Sequence, residues 1–313
     1  MIFSLKNHPA ENPALLLVVT GTLVGFNCPL GKIAGDAGIP PVVWAMLVSL
    51  GASGLLLPLL MFKRQLSLPK GKTLRYVIVS GLISFITPNL LLLSVIPHAG
   101  AGYTGLMFAL SPVFTLILAL VLGQQGPGGL GLIGIALGLV GALVVSYTRA
   151  STGDALSPVW LAAALLIPLV LACGNIYRSW DWPEGAQPET LAFWSHAFSL
   201  TFYVSFLGVS KLEMPMEALM EIPQATLAQM LVSGLTFPVF FRLQKKGGPV
   251  LLSQLGYVAA AVSLLTATLL LGERYRPATW FGALIIACGI MVTLFPQRKK
   301  SGRLPKLAQG YRI

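Results

Sequence analysis

Charge is scarce in this chain. Of 313 residues only 10% are Asp, Glu, Lys or Arg, against 55% that are apolar, and the mean hydropathy is +0.80. Soluble domains carry about 25% charged residues, so too few charges remain to cover a soluble surface. Acid is scarcer still: 10 Asp and Glu stand against 21 Lys and Arg, a net charge of +11. The basic residues sit in short loops and the C-terminal tail, not on a face interleaved with aromatics, which excludes nucleic acid as a partner. The three cysteines, Cys28, Cys173 and Cys288, lie far apart inside apolar runs without metal-ligand spacing, and are expected to be buried and reduced. The glycine-rich stretch Gln124-Gln125-Gly126-Pro127-Gly128-Gly129 lacks the lysine of a phosphate-binding loop, which argues against direct ATP use. No Asp, Glu or His residues converge, so no catalytic residue, metal site or cofactor is expected. No small-x-small cleavage site follows the first apolar run, so no signal peptide is assigned.

What remains is long apolar runs. A bilayer core needs about 20 apolar residues per helix, and ten segments approach that length: 14–33, 42–62, 76–96, 102–122, 130–148, 157–177, 190–209, 226–243, 250–271 and 279–296. Proline, glycine and charge clusters separate them. The eighth is the weakest, interrupted by Pro238 and closed by Arg242; the basic turn Lys245-Lys246-Gly247-Gly248-Pro249 follows it. With the N-terminus inside, Lys and Arg divide sixteen to five in favour of the cytoplasmic side, Arg178 counted among the cytoplasmic loops. That split predicts ten spans with both termini cytoplasmic. Trp44, Trp160, Trp180, Trp182 and Trp280 fall near span ends, as interfacial aromatics should. The basic tail at 297–313 suits anionic headgroups of the lipid bilayer.

The chain repeats. Val79-Ser80-Gly81-Leu82 recurs as Val232-Ser233-Gly234-Leu235, and Leu120-Val121-Leu122-Gly123 matches Leu269-Leu270-Leu271-Gly272. Gly134 then aligns with Gly282 and Gly141 with Gly289. Five helices per copy is an odd number, so the second copy must insert upside down. The loop before the third span carries five Lys and Arg, whereas its counterpart carries Lys211 among Glu213, Glu217 and Glu221. This reversal predicts an all-α integral membrane protein of two inverted five-helix repeats, an architecture of secondary transporters.

Gly272-Glu273-Arg274, Trp280-Phe281-Gly282 and Gly289, with Ser111-Pro112-Val113-Phe114, Gly123, Gly134 and Gly141 in the first copy, resemble the drug/metabolite transporter superfamily, bacterial ten-helix type with two EamA domains. Gln124 departs from the glutamate usual there. The resemblance spans about residues 15 to 296 and implies EamA-like repeats at 14–148 and 157–296. It also implies the inner membrane of a bacterium and export or exchange of small metabolites through a cavity between the halves.

Polar side chains within the spans are the candidate substrate-binding residues, each weighed against helix packing. Asn27 and Asn175 occupy loosely matching places in the two copies, each beside a glycine and a cysteine. Asn89 follows Pro88, which frees a backbone carbonyl. The fourth span presents Tyr103 and Ser111. In the ninth, Gln254 and Tyr257 share one helical face. The seventh presents Trp194 and His196. His196 reads as the only ionisable residue well inside a span; proton coupling and a neutral, hydrogen-bonded imidazole both remain open, as does a counter-substrate. Glu273 and Arg274 are expected to pair within their turn. A cavity without fixed charge disfavours highly charged substrates. The expectation is an exporter or facilitator of small amphipathic metabolites such as amino acids, the alternative a non-transporting membrane protein, either a lipid-modifying enzyme or a sensor.

Overall fold

A computed structural model describes residues 12–124, 128–150 and 156–294. The predicted tail at 297–313, the last two residues of the tenth segment and Gln125, Gly126 and Pro127 lie outside them. All regular structure in the described residues is helical: α1 (Pro13–Gly25), α2 (Asn27–Asp36), α3 (Pro41–Phe62), α4 (Lys72–Ser80), α5 (Thr87–Ala99), α6 (Ala101–Leu106), α7 (Ser111–Val121), α8 (Gly129–Ala150), α9 (Pro158–Trp180), α10 (Pro188–Ser210), α11 (Met216–Glu221), α12 (Pro223–Ser253), α13 (Leu255–Leu271) and α14 (Pro277–Leu294). Proline opens α1, α3, α9, α10, α12 and α14, where its missing N–H would have had no intrahelical partner. The matched glycines Gly123 and Gly272 follow α7 and α13 with φ of 71° and 67°, the left-handed conformation that ends a helix and that glycine adopts without strain. Seven helical stretches are long and apolar enough to cross a membrane: 13–36, 41–62, 72–99, 101–121, 158–180, 188–210 and 223–253. Gly129–Gly141, Leu255–Leu271 and Pro277–Gly289 are apolar but shorter. Large apolar side chains cover the outer surface, with Phe62, Val209 and Leu269 each more than three-quarters exposed. Such coverage suits lipid and not water, so this is a multi-pass membrane protein.

Four of the long stretches are interrupted, and in three of them a proline a few residues on accounts for the break. It removes the donor to the carbonyl four residues earlier and crowds it. Pro29 follows the break at Phe26 between α1 and α2; the Gly25 carbonyl accepts instead from the Ser263 hydroxyl of α13 at 2.8 Å. Pro88 follows a wide π turn over Gly81–Ile86. Pro112 follows a tight 3-10 turn over Met107–Leu110. Helix runs through Pro238, whereas α12 is two helices that meet at a kink at Gly248 (φ 68°, ψ −174°), inside the predicted basic turn and just before Pro249.

The halves meet closely. A Cβ on Gly141 of α8 would lie 2.6 Å from the Gly282 carbonyl oxygen of α14, and one on Gly289 of α14 would lie 2.6 Å from the Gly134 carbonyl oxygen of α8. The glycines matched in sequence thus serve each other in space. Glu273 also bridges the halves. Its carboxylate accepts from the Ala101 and Gly102 amides at 2.9 and 3.1 Å and from the Tyr275 hydroxyl. It caps the first turn of α6, where a negative charge is favoured, instead of pairing with Arg274 as expected. Of the cysteines only Cys28 is buried; Cys173 and Cys288 lie on outward faces of α9 and α14, where a thiol meets lipid as readily as core.

Candidate functional site

The interrupted helices converge on a cavity of about 770 Å³, its mouth included. The first half contributes Val24 and Asn27 beside the α1–α2 break, Val48 of α3, Ser84, Phe85, Pro88, Asn89 and Leu92 around the π turn, and Phe108 and Ser111. Ile167, Leu171, Asn175 and Arg178 of α9, Phe237 and Phe240 of α12, and residues 253, 255 and 256 come from the second. Small-molecule sites have this mixture, mostly apolar walls with a few convergent polar groups. The irregular turns matter here because they point backbone and side chains inward where a continuous helix would present a smooth face.

Two polar networks stand at the wall. Around Asn27, the Gln229 amide nitrogen donates to Asn27 Oδ1 at 2.7 Å and to Ser233 Oγ at 2.9 Å. Gln229 Oε1 accepts from Trp44 Nε1 at 3.2 Å, and Asn27 Nδ2 donates to the Val24 carbonyl at 3.0 Å. Trp44 is therefore no interfacial aromatic: it is 1% exposed, because its indole N–H has a buried acceptor. Every group in this network is neutral.

Around Asn175 the network carries charge. Arg178 Nη2 donates to Asn175 Oδ1 at 2.8 Å, and Nε donates to Gln244 Oε1 at 3.2 Å. Gln244 Nε2 donates to the Asn175 carbonyl at 3.1 Å and also to Ser179 Oγ. The guanidinium carbon stands 4.9 Å from the Phe240 ring centre and 5.6 Å from that of Phe85, within cation–π range. Arg178 is 2% exposed and lies in the last turn of α9, where the helix dipole favours a cation.

This overturns two expectations. Arg178 is not a loop residue but a buried one in the last turn of α9, and the cavity wall carries a fixed charge. α9 continues to Trp180, past the predicted end at 177, and tertiary packing buries the side chain. The signal was present in the spacing: Arg178 follows Asn175 by three residues, which places both on one helical face.

Of the nine candidates, Asn27, Asn89, Ser111 and Asn175 line the cavity. The other five stand elsewhere in this conformation. Tyr103 is buried in the main apolar cluster. Trp194 Nε1 donates to the Ser67 carbonyl in the α3–α4 loop at 2.8 Å. His196 packs between Phe85 and Phe237, ring centres 4.3 and 3.8 Å away, with Nδ1 3.4 Å from Ser49 Oγ. It thus sits behind two residues of the wall. Gln254 and Tyr257 are buried, and the Tyr257 ring fills the space left by Gly138 of α8; their neighbours Ser253 and Gly256 face the cavity. The residues that sequence reasoning missed are Arg178, Ser84 and the aromatic walls. Phe85, Phe237 and Phe240 carried no signal beyond apolar periodicity.

Comparison with known proteins agrees with this architecture. A "Probable amino-acid metabolite efflux pump" of Escherichia coli (strain K12) is 24% identical over 293 residues, covering 91% of this chain and 94% of that protein. A solved crystal structure shares the fold at a TM-score of 0.62 with 18% identity, covering 90% of this chain and 99% of that one. The EamA-like transporter family matches residues 12–147 and 158–295, one match to each half that frames the cavity. With two EamA domains spanning nearly all of its length, the chain belongs to the EamA-like transporter family, within the drug/metabolite transporter superfamily.

Proposed function

We infer that the protein is a secondary transporter of small amphipathic metabolites, amino acids among them, in the bacterial inner membrane. One observation carries this reading: a cavity at the junction of the halves, walled by aromatic and aliphatic side chains and fitted with amide and hydroxyl groups from both. The similar efflux pump of Escherichia coli supports export as the direction. Counting the three shorter apolar stretches as spans gives ten, with both termini cytoplasmic by the distribution of Lys and Arg.

The reciprocal glycine contacts of α8 and α14 support two inverted repeats that rock about this seam to expose the cavity alternately. In this scheme Asn27, Asn89, Ser111 and Asn175 contact substrate. Tyr103, Trp194, His196, Gln254 and Tyr257 hold the walls behind them. The place of His196 behind Phe85 and Phe237 supports facilitated flux or exchange over proton coupling. Proteoliposome uptake of amino acids, nucleobases and organic acids, with and without a pH gradient, tests the reading. Flux of at least one class, independent of the gradient, is expected. Turnover of a lipid by purified protein with no flux of any solute would replace the transporter with an enzyme.

A further inference from the structure

Arg178 is a buried cation without an anion. The carboxylates near its end of the bundle are engaged elsewhere: Asp181 holds Arg75 and accepts from the Tyr177 hydroxyl, and Glu189 holds Arg242. Among the described residues, Arg178 pairs with no acid. Its two hydrogen bonds to protein use Nε and Nη2, both to neutral amide oxygens, and a guanidinium has five donors. Nη1 has no acceptor among the described residues. Beside it, Ser84 Oγ is buried and also without a partner. Both groups flank the strip of α9 left bare by Gly174, where a Cβ would lie 2.5 Å from Ser84 Oγ and 3.1 Å from Arg178 Nη1. Arg178 and Ser84 both line the cavity.

A charge in this environment is expensive unless it is paired. Aromatic faces, a helix end and two amide oxygens make the cation tolerable without neutralising it. Arg178 and Ser84 stand at the cavity wall, where an anion can arrive. A guanidinium fork fits two carboxylate oxygens, and the Ser84 hydroxyl adds a third donor of matching polarity. The other polar lining residues, Asn27, Asn89, Ser111, Asn175 and Ser253, are neutral, and the rest of the wall is apolar.

We propose that the cavity binds ligands through a carboxylate held by Arg178 with Ser84, the apolar body of the ligand lying against Phe85, Phe237 and Phe240. This rests on the reading of the cavity as the substrate site, and it reverses the expectation that the cavity lacks fixed charge. It names a substrate class: small acids with an apolar body, zwitterionic amino acids being the subset whose amine the neutral amides and carbonyls around Asn27 accept.

The test compares 3-phenylpropionate with its neutral carboxamide, and both with L-phenylalanine. Binding to the purified full chain in detergent is measured by equilibrium dialysis, and counterflow is measured in proteoliposomes. The native protein is expected to bind the acid at least about tenfold more tightly than the carboxamide, the discrimination of one charge-assisted contact. Arg178→Gln should bring the ratio near one, and Arg178→Lys should keep part of it. Ser84→Ala should lower affinity for the acid a few-fold. A native ratio near one overturns the proposal, as does an unchanged ratio in an Arg178→Gln protein that remains monodisperse and helical. If Arg178→Gln fails to fold, the native ratio and Ser84→Ala still decide. L-phenylalanine binding as tightly as the acid marks an amino-acid site; binding tenfold weaker marks a site for simple acids. Acid-selective binding without counterflow would refute the transporter and leave the carboxylate site standing; counterflow without acid selectivity would do the reverse.

Discussion

Asn27 and Asn175 hold loosely matched positions in the two copies, yet their surroundings differ in electrical character. Asn27 is held by Gln229, which also satisfies Trp44 and Ser233. Asn175 is held by Arg178, which is in turn held by Gln244. The two partner glutamines are not themselves a repeated pair, because both lie on α12 of the second copy. Only the second side acquired a charge: the residue three places after Asn27 is Leu30, where α9 has Arg178. On the proposed reading the cavity thereby gains a polar axis, and a bipolar ligand in it has a preferred orientation.

The largest expected effect comes from removing that asymmetry. Arg178→Ala deletes the charge and leaves the oxygens of Asn175 and Gln244 without their donor. Loss of a hydrogen-bonded charge is worth about 1.5–3 kcal/mol, so affinity for carboxylates should fall roughly ten- to a hundredfold, read by the same dialysis measurement. The counterpart on the neutral side is Gln229→Leu. It strands the Trp44 indole N–H and Asn27 Oδ1, each buried loss costing about 1–3 kcal/mol. The thermal unfolding midpoint in detergent should fall by several degrees, while the preference for acid over carboxamide stays. If Gln229→Leu abolished that preference, the two sides would not be separable and the comparison would fail.

The glycine seam tests the other half of the contrast, the symmetry itself. Gly141→Ala and Gly289→Ala place methyl groups against carbonyl oxygens at the same 2.6 Å separation. Overpacking of this kind costs about 1–3 kcal/mol, and the two variants should lower the unfolding midpoint equally. A harmless change at one position beside a damaging change at the other would show that α8 and α14 are not equivalent partners.

Much of this fold was legible because proline and glycine write it locally. Pro29, Pro88 and Pro112 interrupt their helices by a rule that involves only the residue and the carbonyl four places earlier, and the matched glycines needed only a repeat to be noticed. The site was partly legible for the same reason: Asn27, Asn89, Ser111 and Asn175 lie at or near those breaks or on α9. What stayed hidden depends on tertiary packing. Arg178 falls where a hydropathy window ends a span, and only the approach of Gln244, Phe240 and Phe85 makes it an interior residue. Gln254 and Tyr257 share a face as expected, but Leu255 and Gly256 between them face the cavity; periodicity identifies faces and not which neighbour each one meets. Glu273 likewise looked paired with Arg274 because adjacency is visible in sequence, whereas the amides of Ala101 and Gly102 are 172 and 171 residues away.

The smallest expected effect probes how the charge of Arg178 stays unpaired. Asp181 follows it by three residues, close enough at a helix end for the two side chains to meet. It is instead drawn away by Arg75 of α4, in an ion pair whose arginine is 59% exposed, and by the Tyr177 hydroxyl at 2.7 Å. An exposed pair of this kind contributes little to stability, so Arg75→Ala should barely move the unfolding midpoint. Tyr177 should keep Asp181 in place, and the acid-to-carboxamide ratio should change less than about twofold, a few tenths of a kcal/mol. Adding Tyr177→Phe removes the second tether. If the ratio then collapses while Arg178 remains, the freed Asp181 has neutralised it, and the asymmetry of the cavity depends on a clamp outside the cavity as much as on the arginine within.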